Sequence, residues 1–244
     1  MNNFTEQDRI EQFSKLMKNY VPEEFKQWLI ENSFFTAPAS IHHHGAYSGA
    51  LFDHSFAVTK TLLSFTERLE LLWGNESSPY IVGMFHDLCK LDNYQRTDNE
   101  AWEYNNATLL PGHGDKSVMM LQQHIHLTEE EMFCIRWHMG AFDDKENWNS
   151  YGRAVTRYPN VLYTHTADMV AALWCFLNTD SYRDCVLAAV NLGEDTDTIA
   201  AVAGGLAGIY YGCGGESGIP DEWIAQIPRR DWIKALCAEL IIEN

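Results

Sequence analysis

The chain has 244 residues, 46% of them hydrophobic, with a formal net charge of -17. It can bury a real core as one large or two modest domains, and no apolar run approaches the roughly 18 residues that a membrane span needs, so no membrane partner is expected. The acidic balance repels phosphate backbones and argues against a broad nucleic-acid surface, while a small anionic phosphorylated substrate stays open if metal ions supply local positive charge. The start, Met1-Asn2-Asn3-Phe4-Thr5, has neither a basic nor an apolar leader pattern, which gives a cytoplasmic expectation. The cysteines Cys89, Cys134, Cys175, Cys185, Cys213 and Cys237 form no C-x-x-C pair. They are expected to be small buried hydrophobes rather than zinc thiolates or disulfides. Oligomeric state is not legible.

In chain order, almost every segment carries helical periodicity. Residues 5–20 place Ile10, Phe13, Leu16 and Met17 at helical spacing, and Pro22 opens a second helix to about residue 31. Residues 33–48 read as a loop. A long helix containing His54 follows over residues 50–73, with Gly74-Asn75 as its stop. Ser77-Ser78-Pro79 starts a helix that runs through Lys90. Residues 91–112 read as a loop or short hairpin, with Trp102-Glu103-Tyr104 its strand-like patch. Helices resume at about 114–126, at 128–139 behind the capping-box pattern Thr128-Glu129-Glu130-Glu131, and at 159–178. Asp143 and Asp144 read as a solvated loop. After Thr179 the chain turns rich in alanine and glycine, and Ala203-Gly204-Gly205-Leu206-Ala207-Gly208 has small residues at helical spacing, which lets a neighbouring helix approach closely. Two last helices are expected near 220–226 and 230–242. The fold class is all-α, a helical bundle over 1–179 with a C-terminal helical extension over 180–244.

The residues that carry chemistry are His54, His86, Asp87, His113, His138 and Asp168. Their spacing, roughly 25–32 residues, is about one helix out and one helix back. Imidazole and carboxylate suit zinc, manganese, iron or magnesium, and six such groups exceed what one metal needs once water or substrate also binds. Two divalent metal ions (Mn, Ni, Zn, Mg or Fe) are therefore expected. Within the apolar run Ile81-Val82-Gly83-Met84-Phe85, the adjoining His86-Asp87 pair would bury charge at considerable cost unless a cation compensates it. His124, His126 and His42 read as bystanders. Lys90 stands one helical turn from His86-Asp87 and shares their face; the alternative is a solvated lysine at a helix end.

These residues sit in Gly49-Ala50-Leu51-Phe52-Asp53-His54-Ser55, His86-Asp87-Leu88-Cys89-Lys90, Gly112-His113-Gly114-Asp115-Lys116-Ser117, Trp137-His138-Met139-Gly140 and His165-Thr166-Ala167-Asp168. In that order they resemble the motifs of the HD superfamily of metal-dependent phosphohydrolases, over about residues 33–178. The modules at the C-terminal end of some bacterial 3′-5′ exoribonucleases are the most similar branch. The resemblance implies an HD-domain bundle in which His54, His86, Asp87 and Asp168 bind one metal and Asp87 bridges to a second held by His113 and His138. It further implies that Lys90 meets a substrate phosphate, that His43 and His44 approach substrate, and that the two metals activate a shared water for hydrolysis of a nucleotide or other small phosphoester. Asp87 and Lys90 would be the catalytic residues.

Downstream, Asn191-Leu192-Gly193-Glu194-Asp195-Thr196-Asp197-Thr198 and the small-residue stretch after it resemble the C-terminal end of ADP-ribosylglycohydrolases, over about residues 181–242. In that family the portion corresponding to Asp195, Asp197 and Thr198 helps to bind a pair of magnesium ions. The family's Gly-Asp-Ala and Thr-Asp-Asp motifs have no counterpart upstream, so helix capping competes with metal binding for these three residues. Two other functions stay open: a mixed-valent di-iron HD oxygenase, which uses much the same ligands, and an ADP-ribose or nucleotide-binding regulatory protein or partial ADP-ribosylglycohydrolase.

Overall fold

The computed structural model describes residues 4–41, 47–97, 99, 101–110, 112–140, 143–177, 179–191, 196–230 and 232. The expected all-α class is what it shows, apart from one hairpin. The chain divides into two compact units, one of residues 1–170 with 193–195 and the other of residues 171–192 with 196–244.

In the first unit, α1 (Glu6–Met17) starts at Thr5, whose hydroxyl and backbone N–H exchange hydrogen bonds with Asp8 in a capping box. It buries Phe13 and Met17. Helix α2 (Glu23–Glu31) follows Pro22 and buries Phe25 and Leu29. Their rings join Phe34, Phe35, Phe52 and Phe85 in an aromatic core, with Phe13 edge-on to Phe35 at a centroid distance of 5.4 Å. Arg9 is buried beside this core and meets both oxygens of Asp53 at 2.9 Å. That fork ties α1 to α3 (Ala50–Arg68) one residue before His54.

Helix α3 is shorter than the expected span of 50–73. Glu70 takes a left-handed φ of 52°, and Leu71 N–H reaches back to Thr66 O. This is a Schellman end closed by a glutamate, and the usual glycine signal is missing from the sequence. Helix α4 (Ser78–Phe85) also stops early, because residues 86–89 tighten into successive turns before the four-residue α5 (Lys90–Asn93). Bonds from Leu88 N to Phe85 O and from Lys90 N to Asp87 O replace the wider helical pattern.

Strands β1 (Tyr94–Arg96) and β2 (Trp102–Tyr104) pair antiparallel with Gln95 opposite Glu103, the expected hairpin. Helix α6 (Gly114–Leu121) ends five residues before the expected 126. Helix α7 (Glu129–Arg136) begins at the Thr128–Glu131 capping box that the sequence announced. Helix α8 (Trp148–Arg157) was not expected. The residues ahead of it are not a solvated loop at Asp143, whose carboxylate meets Arg136 and Asn147 and whose carbonyl accepts from the Trp148 indole. Helix α9 (Asn160–Leu177) matches the expected 159–178.

The second unit contains α10 (Tyr182–Asn191), α11 (Thr196–Tyr211) and α12 (Asp221–Ala225). Cys185, Ala189, Ala203 and Ala207 bury together, so α10 and α11 approach closely as the small residues predicted. Cys213 is exposed, against the expectation that the cysteines are buried; Cys89, Cys134 and Cys185 are buried as expected. The last expected helix, 230–242, lies almost wholly outside the described residues, as does Cys237. Among the described residues no helix is long and apolar enough to cross a membrane.

Gly83 sets the separation of α3 and α4, since a Cβ there would stand 2.6 Å from Thr59 Cα. Gly83→Ala is therefore expected to lower stability by about 1–3 kcal/mol in urea unfolding, the overpacking cost outweighing alanine's better helix propensity. Unchanged or higher stability would show that the two helices separate freely.

Candidate metal centre

Close packing of α3 on α4 brings His54 Nε2 to 2.8 Å from His86 Nε2. The tight turns after α4 put Asp87 beside them, and α9 supplies Asp168. Asp87 Oδ2 lies 3.6 Å from His54 Nε2 and 3.5 Å from His86 Nε2; Asp168 Oδ1 lies 3.2 and 3.7 Å from the same two nitrogens. The other oxygen of Asp87 faces a different pair. Oδ1 is 2.7 Å from Nε2 of His113, at the start of α6, and 3.4 Å from Nε2 of His138, just past α7. All six residues singled out by their spacing thus converge, and one carboxylate stands between two sets.

These distances suit ligation. Atoms bound about 2.0–2.2 Å from one ion stand roughly 2.8–3.6 Å from each other, depending on geometry. Three groupings have ligand atoms within 4.8 Å of one another: His54 with His86 and Asp87, His86 with His138 and Asp168, and Asp87 with His113 and His138. Asp87 Oδ1 and His138 Nε2 are buried and, the 2.7 Å approach of His113 to Asp87 aside, meet no hydrogen-bond partner. Buried polar atoms are seldom left so unless an ion or water meets them. The donor set therefore fits a divalent cation.

The tautomers agree. His86 Nδ1 lies 2.9 Å from Gly83 O and His138 Nδ1 lies 2.7 Å from Ile135 O. A carbonyl can only accept, so each Nδ1 carries a hydrogen, and the Nε2 of each ring is the atom turned to the centre. Burial pushes the His86 pKa down to about 3, against the pull of Asp87 and Asp168, so this ring is neutral. Burial alone would raise both carboxyls. For Asp87, Lys90 and His113 outweigh it and hold the group well below the usual carboxylate range; for Asp168, the hydrogen bond with His54 does the same. Burial would lower His113, but Cys89 and Asp87 override it and raise this imidazole well above its usual value.

Lys90 is not a solvated helix-end residue. It is buried, and its Nζ lies 2.7 Å from Asp87 Oδ2. His43 and His44 lie outside the described residues, as do His42 and Asp195. Asp197 and Thr198 stand in the first turn of α11. His124 packs its ring on Phe25 at 4.8 Å, the bystander role expected of it. Spacing alone did not reveal the partners behind the histidines: the Cys89 thiol, 3.2 Å from His113 Nδ1, and His165, whose Nδ1 meets His138 O at 2.7 Å.

A family model described as ADP-ribosylglycohydrolase matches residues 117–244, more than half of the chain. This chain belongs to the ADP-ribosylglycohydrolase family. The match starts well before the 181–242 span of the sequence resemblance and takes in His138 and Asp168. Among curated relatives, an ADP-ribosylarginine hydrolase of Pseudomonas putida is 43% identical over 70 residues, 29% of this chain and 18% of that protein. The dihydroneopterin 2′,3′-cyclic phosphate phosphodiesterase of Methanocaldococcus jannaschii is 37% identical over 71 residues, 28% of each chain. An ADP-ribosyl-[dinitrogen reductase] glycohydrolase of Rhodospirillum rubrum is 37% identical over 59 residues, 24% of this chain and 19% of that one. Each match thus spans less than a third of the relative's length. No solved structure matches the chain.

Because the Lys90–Asp87 pair is buried, Lys90→Met is expected to destabilise the metal-free protein by about 3–5 kcal/mol in urea unfolding with chelator present. A change within about 0.5 kcal/mol would return Lys90 to a solvated role.

Proposed function

We propose that this member of the ADP-ribosylglycohydrolase family is a metal-dependent hydrolase of a small phosphate ester, working at an HD-type centre of His54, His86, Asp87, His113, His138 and Asp168. The observation that carries this reading is the pair of Asp87 oxygens, each turned to its own set of imidazoles at ligand-like distances. Similarity to a cyclic phosphate phosphodiesterase supports the substrate class. The HD-type assignment itself rests on the residues and their geometry.

Two divalent cations bound there would supply Lewis acidity and a water acidic enough to attack phosphorus near neutral pH. The chain's own groups do the rest. Asp87 holds the two sets at a fixed separation. The carbonyls of Gly83 and Ile135 hold His86 and His138 in the tautomer that presents Nε2. Lys90 tempers the charge of Asp87 and is placed to meet a phosphoryl oxygen at the same centre. His43 and His44 are retained as substrate contacts on the sequence resemblance alone.

A second reading is favoured by the family match and by the ADP-ribosyl hydrolases among the relatives. In it the segment around Asp195, Asp197 and Thr198 binds metal and ADP-ribose, and the protein releases or senses an ADP-ribosyl group.

Metal content tests the centre directly. Elemental analysis after loading with manganese, nickel or zinc should find two ions per chain in the wild type, neither in Asp87→Ala, and chiefly the first in His138→Ala. Metal at hundredfold excess over Kd adds about 2.7 kcal/mol of stability, so the wild-type Tm should rise by roughly 5–10 °C and that of Asp87→Ala should not. Two ions retained in Asp87→Ala would sink the assignment.

The activity test pairs 2′,3′-cyclic AMP and bis(p-nitrophenyl) phosphate with ADP-ribosyl-arginine. Phosphodiester cleavage is expected in the wild type, at background in Asp87→Asn, and within about twofold of wild type in Asp195→Asn with Asp197→Asn, since asparagine caps a helix as well as aspartate does. ADP-ribose release that survives Asp87→Asn and vanishes in the double variant would establish the second reading instead.

A further inference from the structure

We propose that His165 is a positioning residue that couples the two halves of the centre, setting His138 relative to Asp168. The inference rests on the reading of the centre as a two-cation site and adds to it a residue outside the ligand set.

His138 is carried on a turn. Helix α7 ends at Arg136, and the chain folds back through a bond from Gly140 N to Trp137 O. Gly140 has a φ of +56°, where side chains other than glycine's are strained. A Cβ at this position would also stand 2.6–2.7 Å from three atoms of the His165 imidazole. The bare backbone of Gly140 therefore lies against the His165 ring. The same ring donates from Nδ1 to the carbonyl oxygen of His138, 2.7 Å away. One side chain thus grips the His138 turn at two points, by a hydrogen bond and by packing.

His165 stands on α9 three residues before Asp168, so the two project from neighbouring positions on one helix face. Asp168 Oδ1 lies within 3.7 Å of His54 and His86, whereas His138 Nε2 lies 3.4 Å from Asp87 Oδ1, its ring also within ligand range of His86 and Asp168. His165 is the link between a carboxylate of the first set and an imidazole of the second. Asp87 joins the sets through its oxygens, and His165 joins them through the backbone behind them. His86 and His138 already have their tautomers fixed by carbonyls within their own turns. What His165 adds is placement: it sets where the whole His138 turn sits against α9.

The consequence is selective. Without His165 the first set, held by α3, α4 and α9, keeps its geometry, whereas His138 loses its backing. The test is calorimetric titration of chelated full-length protein with Mn²⁺, together with far-ultraviolet circular dichroism. The wild type should bind two ions. His165→Ala should bind the first ion with unchanged Kd and the second at least tenfold more weakly, with the same helical spectrum. His165→Asn, whose amide can still donate to the His138 carbonyl, should recover much of that loss. Gly140→Ala should reproduce the weakening without altering the histidine.

Two ions bound by His165→Ala with wild-type affinities would overturn the inference and leave the two-cation reading standing. Equal weakening of both ions, or no recovery in His165→Asn, would also overturn it by making the role one of general packing. A wild type that binds no ion would overturn the reading on which the inference rests. Should His165→Ala fail to fold, His165→Asn and Gly140→Ala still decide the matter through the ratio of the two affinities.

Discussion

A carboxylate withdrawn from water must be met by positive charge or by hydrogen bonds, and Asp87, only 4% exposed, is met by five side chains. Lys90 and two histidines approach one oxygen, and two further histidines approach the other. Much of the first unit can be understood as what such a meeting demands. The turns after α4 tighten so that His86, Asp87 and Lys90 face inward together, Gly83 lets α3 close on α4, His113 stands at the start of α6 and His138 just past the end of α7, and α9 presents Asp168 from its middle.

The supports behind these groups differ in kind. His86 and His138 are held by carbonyls three residues upstream in their own chain segments, so each orientation is set locally. His54 is braced from a distance, through the fork between Asp53 and Arg9 of α1. His113 has a thiol behind it, a softer and weaker partner than a carbonyl. The second unit is built on another principle. Small residues allow α10 and α11 to meet, and alanine and cysteine side chains fill the seam.

Most helices could be read from the sequence because their periodicity and caps are local properties. Thr128 with Glu131 is one example, and the span of α9 is another. The helix ends were harder. Nothing in Glu70 announces a left-handed residue that ends α3 before Leu71, and nothing in the run from Ser77 to Lys90 announces the tightening at His86. Helix α8 escaped because its start is organised by Asp143, a residue whose partners, Arg136 and Asn147, appear only once the chain is folded. The six centre residues were legible through their chemistry and spacing. The fork of Arg9 and the contacts of Cys89 and His165 were not, since each depends on which helices lie side by side. The family was legible only in part, for the matched region begins far upstream of the segment whose motifs suggested it.

Lys116 lies on the ligand-bearing helix α6, and its side chain is 1% exposed. Its ammonium is caged by Asp92, Asn93 and the Thr108 hydroxyl at 2.5, 2.6 and 2.7 Å. The cage fastens the end of α5 and the segment after the hairpin to the helix that begins with His113. An amine-reactive reagent cannot reach this nitrogen while the cage is shut, whereas exposed lysines such as Lys145 react at once. The rate at which Lys116 becomes labelled is thus a built-in clock for opening of this part of the molecule, readable by mass spectrometry without an added probe.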